Sequence, residues 1–501
     1  MSSLLLRRVR LVPLAPDDAW TTPDRPVDVL VEDGRVVAVG PEVGRPAGVP
    51  EIDAEGRWVL PGLWDAHTHL GQWAAAARRL DLSATTSRAE VLAAVEAALE
   101  PGTPLVGWGH RAFTWEEPAS VADLDAVTGD TPVVLINADC HHGWLNSSAL
   151  VALGLPPRPA TGDPAEQVVS ESEWFAVYPH LDRLDTEATV GPAAYRTVLE
   201  RAASLGVVGL VDFEFGAPIS AWAERWGQGC DLLRLRQAVY ADALDDVLAL
   251  GMRTGHPLVP ADDRLTLGSL KIISDGSLGT RTAWCCEPYA DAPANHGAPN
   301  LEPRELHDLV ARAAAGGLTV ATHAIGDRAV REALAAYAAT GAAGSVEHAQ
   351  LVTRDDVAEL ARLGLVASVQ PAHLLDDRDL TEEVWPGRAE RSFALRWMQD
   401  AGVRMALGSD APVAPLDPWL AVAAAVRRSP DGADPWHPEQ ALTPQEALAA
   451  SVDGAPTVGA GSLGDLVLVD HDPLQPASLD RIRSGPVALT VVGGQVVHTA
   501  L

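Results

Sequence analysis

The chain has 501 residues and a formal net charge of −31, too long for one small module and suited to a large barrel with an attached domain. Acidic residues are spread along it, which repels phosphate backbones and anionic lipid and argues against nucleic-acid and membrane partners. A 47% hydrophobic fraction supports a real core, yet no apolar stretch reaches the roughly 18 residues of a membrane span.

The opening MSSLLLRRVRLVPLAP places arginines after a leucine run and shows no cleavage-site pattern, so it does not read as a signal peptide. Four cysteines (Cys140, Cys230, Cys285 and Cys286) form no CxxC pair and no disulfide framework. The expectation is a reducing compartment, the cytoplasm.

Residues 27–40 alternate around an Asp33-Gly34 hairpin signal, and the last stretch repeats this with DLVLVD and VALTVVGGQVVHTA. Both ends are expected to join one small β-sandwich domain, residues 1–57 and 458–501. Between them, eight apolar runs recur at 58–67, 207–213, 233–241, 265–274, 318–324, 344–349, 365–371 and 403–410. Helical stretches such as AAYRTVLERAASLG and DDVAELARLG follow some of them, closing on glycine. The pattern predicts an α/β fold, a (β/α)8 TIM-like barrel over 58–457. Residues 71–200 are too many for one crossover and read as an insertion over the barrel mouth, carrying the strand-like PVVLINAD.

The chain has a single lysine, Lys271, among 37 basic residues. A bias towards arginine removes lysine wherever guanidinium serves, and lysine survives where an amine must lose its proton or be carbamylated. Chance retention at an indifferent site is the alternative, and the surroundings of Lys271 decide between them. His67 and His69 form a His-x-His at the end of the first run; on a strand, residues two apart project to one side and can converge on a metal. Lys271 lies in the fourth run, while His323, His348 and Asp410 end the fifth, sixth and eighth. Each alone reads as a satisfied core residue or a cap. Together they are potential ligands at successive strand ends, where barrel enzymes hold their sites.

This set resembles the amidohydrolase superfamily of metal-dependent hydrolases. Further matches point to its family 3 branch, which includes N-substituted formamide deformylases: ADCHHGWLNSSAL, LKIISDGSLGTRTA, THAIGDRAV, SVEHAQ, LGSDAPV, the opening LPGLWDAHTHL and the closing GSLGDLVLVDHDP. The resemblance covers nearly the whole chain. It implies two divalent metal ions, with His67, His69 and Asp410 on one, His323 and His348 on the other, and a carbamylated Lys271 bridging them. Imidazole and carboxylate ligands suit zinc best, with iron or manganese compatible. It implies cleavage of a C–N bond in an N-acyl or N-formyl amine, a carbamate or another non-peptide amide, by a metal-bridging hydroxide. Asp410 takes the water's proton and passes it to the leaving nitrogen.

Deaminases of the superfamily carry a glutamate three residues beyond the fifth-strand histidine; here that position is Gly326, which disfavours deamination. Glu171 is the substitute ligand if Lys271 stays unmodified. An ester or lactone hydrolase on the same centre is the nearest rival reading. A catalytically silent scaffold is another, which bound metal without any hydrolysis would reveal. Candidate substrate contacts are His141 and Trp144 in the insertion, with Asp275 and Arg281 beyond the fourth run. Fifteen tryptophans against five Phe and five Tyr place Trp64, Trp73, Trp108, Trp115 and Trp144 near expected mouth loops. They would favour a bulky aromatic substrate group, unless codon bias explains them. A small-molecule substrate and a homodimer complete what the resemblance implies.

Overall fold

The computed structural model describes residues 3–14, 25–76, 79–100, 102–112, 115, 117–159, 164–184, 191–216, 218–430 and 432–501. For residues 164, 165, 171, 172, 175, 179, 182 and 183 it describes the backbone alone.

Eight parallel strands form the barrel: Leu63–Thr68, Val207–Asp212, Arg234–Val239, Asp262–Ile273, Val320–Ala324, Gly344–His348, Val366–Val369 and Arg404–Leu407. Each pairs in register with the next, as in Lys271 opposite Ala321 and His323 opposite Glu347. A parallel bridge from Thr68 to Ala411 joins the last strand to the first. The strands read as near-continuous Val, Ile, Leu and Ala because both of their faces are covered. Outside, helices such as Pro303–Ala315, Asp327–Thr340 and Arg354–Leu363 lay Val310, Leu334 and Leu360 against Val320, Val346 and Ala367 in one buried core. Burial of each such side chain contributes about 1.5–3 kcal/mol. The cap signals act as the sequence suggests: Thr353 opens Arg354–Leu363 with a capping box, and Gly364 closes it at φ +66°.

Both chain ends build one sheet, with Leu4–Leu11, Val27–Glu32 and Arg35–Gly40 on one arm and Leu466–Val469, Leu489–Val492 and Gln495–Thr499 on the other. Arg8, at φ +54°, interrupts the register of the first strand, and the two arms share one core of Leu6, Val29, Val59, Leu468 and Val491. The run expected at 58–67 is two strands. Trp58–Pro61 pairs with Leu4–Leu11 and Leu466–Val469, so it belongs to the terminal sheet; the barrel starts at Leu63. An apolar run carries no mark of which sheet its two halves will join.

The insertion carries a sheet of its own, in the order Val169–Ser170, His142–Leu145, Val133–Asn137, Leu105–His110, Leu80–Asp81. Only its central strand was legible. Leu105–His110 contains two glycines, and the outer strands are two to four residues long. Among the described residues, no helix is long and apolar enough to cross a membrane.

The barrel seam is tight at Gly408, where an added Cβ would lie 2.8 Å from His67 N and 2.9 Å from its Cβ. Gly408→Ala is expected to lose about 1–3 kcal/mol of stability in urea unfolding. Gly485→Ala, where nothing lies within 4 Å, is the control expected to stay within about 0.5 kcal/mol.

Candidate metal centre and active site

His67, His69, Lys271, His323, His348 and Asp410 all line one cavity at the C-terminal mouth of the barrel. Strand alternation brings Lys271 inward, 2% exposed, with its ammonium 4.2 Å from the centre of the Phe213 ring. His348 and Asp410 adopt left-handed φ values of +68° and +60°, which turn the chain at the ends of strands six and eight. For an L-residue this costs about 1–2 kcal/mol, a strain of the kind that concentrates at functional sites.

His67 is the hub. Its Nδ1 donates to Glu347 Oε2 at 2.7 Å, which leaves Nε2 as the ring's lone-pair nitrogen. That Nε2 accepts from Lys271 Nζ at 3.2 Å and lies 3.4 Å from Asp410 Oδ1, itself 3.2 Å from His69 Nε2. The His348 ring centre lies 5.0 Å from that of His67 and 4.5 Å from that of His323. His323 donates from Nε2 to Gly276 O at 3.2 Å, leaving Nδ1 as its acceptor nitrogen. One ligand atom each from His67, His348 and Asp410 lies within 4.8 Å of the others, the group among the described residues that could hold a metal ion.

Burial, with the nearby Lys271 charge, holds His67 and His323 below the usual imidazole range, His323 to about 3; burial and His323 do the same to His348. Neutral imidazole is the form that ligates. Burial alone would raise the Asp410 carboxyl, but His67, His69 and His348 hold it well below its ordinary value. Burial brings the Lys271 amine down to about 8, with Glu347 and Asp410 opposing. The Nδ1 atoms of His69 and His348 are buried without a hydrogen-bond partner among the described residues. Orphaned imidazole nitrogens next to an ionised carboxylate are costly in a dry cavity unless a cation completes them. This donor set fits a divalent metal.

Several residues beyond the ligands hold this arrangement. Asp65 accepts from His67 N at 3.1 Å and Ser409 N at 2.9 Å, tying strand one to strand eight. Burial pushes its carboxyl up to about 7 against those bonds. Glu347 orients His67, a role invisible beforehand because 280 positions separate them. Its one sequence signal was an acid next to the His348 candidate. On a regular strand neighbours face opposite ways, but the turn at His348 lets both residues serve the mouth.

The four candidate substrate contacts separate. His141 lines the cavity, on the hairpin loop 138–141 of the insertion. Trp144 does not: it is wholly buried beneath the insertion sheet, its Nε1 donating to Ser120 O at 3.0 Å. Asp275 is also fully buried, its carboxylate accepting from Trp284 N, Ile325 N and Gly326 N at 2.8–3.0 Å. It braces the loops beside His323 and is closed to substrate. Arg281 donates to Asp291 at 3.0 Å and Gly279 O at 2.9 Å and is not among the residues lining the cavity. None of the five tryptophans expected near the mouth lines the cavity. Trp64, for example, stacks under Arg236, 4.2 Å from its ring centre. The side chain of Glu171 lies outside the described residues.

Fold and cavity together define a parallel barrel whose mouth carries a histidine–carboxylate group able to hold a metal ion. Residues 50–498 match the model of the amidohydrolase family, and the chain belongs to that family. It is 28% identical to a putative amidohydrolase, YtcJ of Bacillus subtilis, over 95% of this chain and 96% of that one. It is also 28% identical to N-substituted formamide deformylase of Arthrobacter pascens, over 93% and 94%. An uncharacterized metal-dependent hydrolase from Pyrococcus horikoshii superposes with a TM-score of 0.76 at 25% identity, covering 94% of this chain and 98% of that one. The protein is therefore a metal-dependent hydrolase of carbon–nitrogen bonds.

Glu347→Ala is expected to weaken metal binding about 10–100-fold in competition with a chromophoric chelator. Glu347→Gln, which keeps an acceptor for His67 Nδ1, is expected to lose less, with unchanged far-UV circular dichroism in both.

Proposed function

We propose that the protein hydrolyses an N-acyl or N-formyl amine, or a related non-peptide amide or carbamate, at a binuclear zinc centre bridged by carbamylated Lys271. The observation that carries this reading is the meeting of the only lysine with His67, His69, His323, His348 and Asp410 in a single cavity. An amine 2% exposed and shared with His67 Nε2 occupies a position where a permanently charged guanidinium could not become an anionic ligand. His67, His69 and Asp410 would hold one ion, and His323 and His348 the other. When bound, the metals make a water acidic enough to ionise near neutral pH and polarise the amide carbonyl.

The chain's own side chains do the rest. Asp410 has Oδ1 beside His67 and His69 and Oδ2 3.9 Å from His373 Nε2, and would take the water's proton and return it to the leaving nitrogen. Ile273, Leu278, Ile325, Phe215 and Val413 give the cavity apolar walls that exclude water and suit a compact apolar acyl or amine group. The similarity to a formamide deformylase points the same way.

Protein prepared without chelator, with bicarbonate present, is expected to carry about two zinc ions per chain by elemental analysis. Lys271→Arg is expected to fold, to lose that stoichiometry, and to drop kcat/KM about 10³-fold or more on the best member of an amide, carbamate and ester panel. A fully active Lys271→Arg enzyme overturns the bridging role. Removal of the metals is expected to abolish hydrolysis, with recovery on adding zinc and bicarbonate.

A further inference from the structure

The seventh barrel strand supplies none of the candidate ligands, yet it delivers a histidine to the same cavity. Val366–Val369 runs through Gln370 into a short turn, Pro371–His373, that continues as the helix Leu374–Val384. His373 lines the cavity, and its ring lies alongside that of His348, with centres 6.1 Å apart and planes at 24°. Its Nε2 is buried, has no hydrogen-bond partner among the described residues, and stands 3.9 Å from Asp410 Oδ2. That distance is too long for a hydrogen bond and leaves the nitrogen aimed at the space beside the proton-carrying oxygen. His373 is also outside the group whose ligand atoms converge within 4.8 Å. A buried imidazole nitrogen beside Asp410 that no described residue pairs is placed to donate to a substrate atom.

Asp377 lies four residues further on, in the helix that His373 precedes. Its carboxylate accepts from Gln350 Nε2 at 3.0 Å, and both residues line the cavity. Burial pushes this carboxyl up to about 6, with His373 first among the opposing influences.

We propose that His373 is a further catalytic residue, donating its Nε2–H to the scissile carbonyl oxygen as that oxygen becomes negative. This rests on the reading of the centre given above. No proton leaves His373: the hydrogen bond strengthens as charge builds in the tetrahedral species and relaxes when the C–N bond breaks, while the proton traffic stays with Asp410. Asp410 Oδ2 as acceptor and His373 Nε2 as donor, 3.9 Å apart, are close enough to reach neighbouring atoms of one amide group from the same side.

The test compares zinc-loaded full-length wild type with His373→Ala and His373→Gln. It uses hydrolysis of the best panel substrate and calorimetric binding of methylphosphonate, a tetrahedral anion. His373→Ala is expected to lose about 10²–10³-fold in kcat with a smaller change in KM, and to bind methylphosphonate more weakly by a similar factor. Its zinc content should equal that of wild type. His373→Gln, which restores an N–H donor, should recover part of both losses. Unchanged kcat and methylphosphonate affinity in His373→Ala overturn the proposal, as does loss of zinc from that variant or failure of wild type to bind methylphosphonate. A wild type that cleaves no panel member, but whose methylphosphonate binding depends on His373, overturns the amide-hydrolase reading and leaves the donor role standing.

Discussion

Closure of the barrel between its first and eighth strands is the constraint on which the site depends. Asp410 N donates to His67 O at 2.7 Å and His69 N to Ala411 O at 2.8 Å, while Asp65 bridges the same two strands from beneath. Gly408 allows the strands to approach closely enough for these bonds. Two candidate ligands from one chain end and one from the other are thereby held by backbone, with little left to side-chain freedom. Other ligands hang from neighbouring strands whose register is set by the continuous ladder, as Lys271 opposite Ala321 and Ala324 opposite His348 illustrate.

The same cavity concentrates charge where water is scarce. Lys271, Glu347 and Asp410 are all buried, and burying charges without partners is costly. Glu347 and Asp410 oppose the loss of the Lys271 proton, and burial holds His67, His323 and His348 below the usual imidazole range. The arrangement is electrostatically incomplete around the buried nitrogens of His69 and His348, where a divalent cation would complete it. Ligand orientation is then inherited from groups that never touch the metal, Glu347 above all.

The insertion gives the barrel mouth its roof. Its hairpin loop brings Ala138, Asp139, Cys140 and His141 into the cavity, and Arg111 from the same sheet pairs with Asp376 at 3.0 Å on the helix after strand seven. Trp108 and Trp144 stay behind that loop as its core, so tryptophan serves stability here, not recognition. Substrate-facing character falls instead to aliphatic residues on strand ends, a choice composition does not reveal.

The sequence by itself determined the eightfold alternation of strand and helix, the pairing of the two chain ends, and the six candidate ligands. Those features are local: a run of Val and Leu, a His-x-His whose members share a face, a lysine left alone among arginines. What only the tertiary structure decided is where one strand ended and another sheet began at residues 58–63, and which polar residues beside the ligands work. Glu347, His373 and Asp65 acquire their roles from partners 280, 37 and 344 positions away. Trp144, Asp275 and Arg281 lose theirs to burial and to nearby partners. A side chain's reach is a few ångströms in space, so its chemistry is settled by neighbours that only a closed barrel brings within that distance.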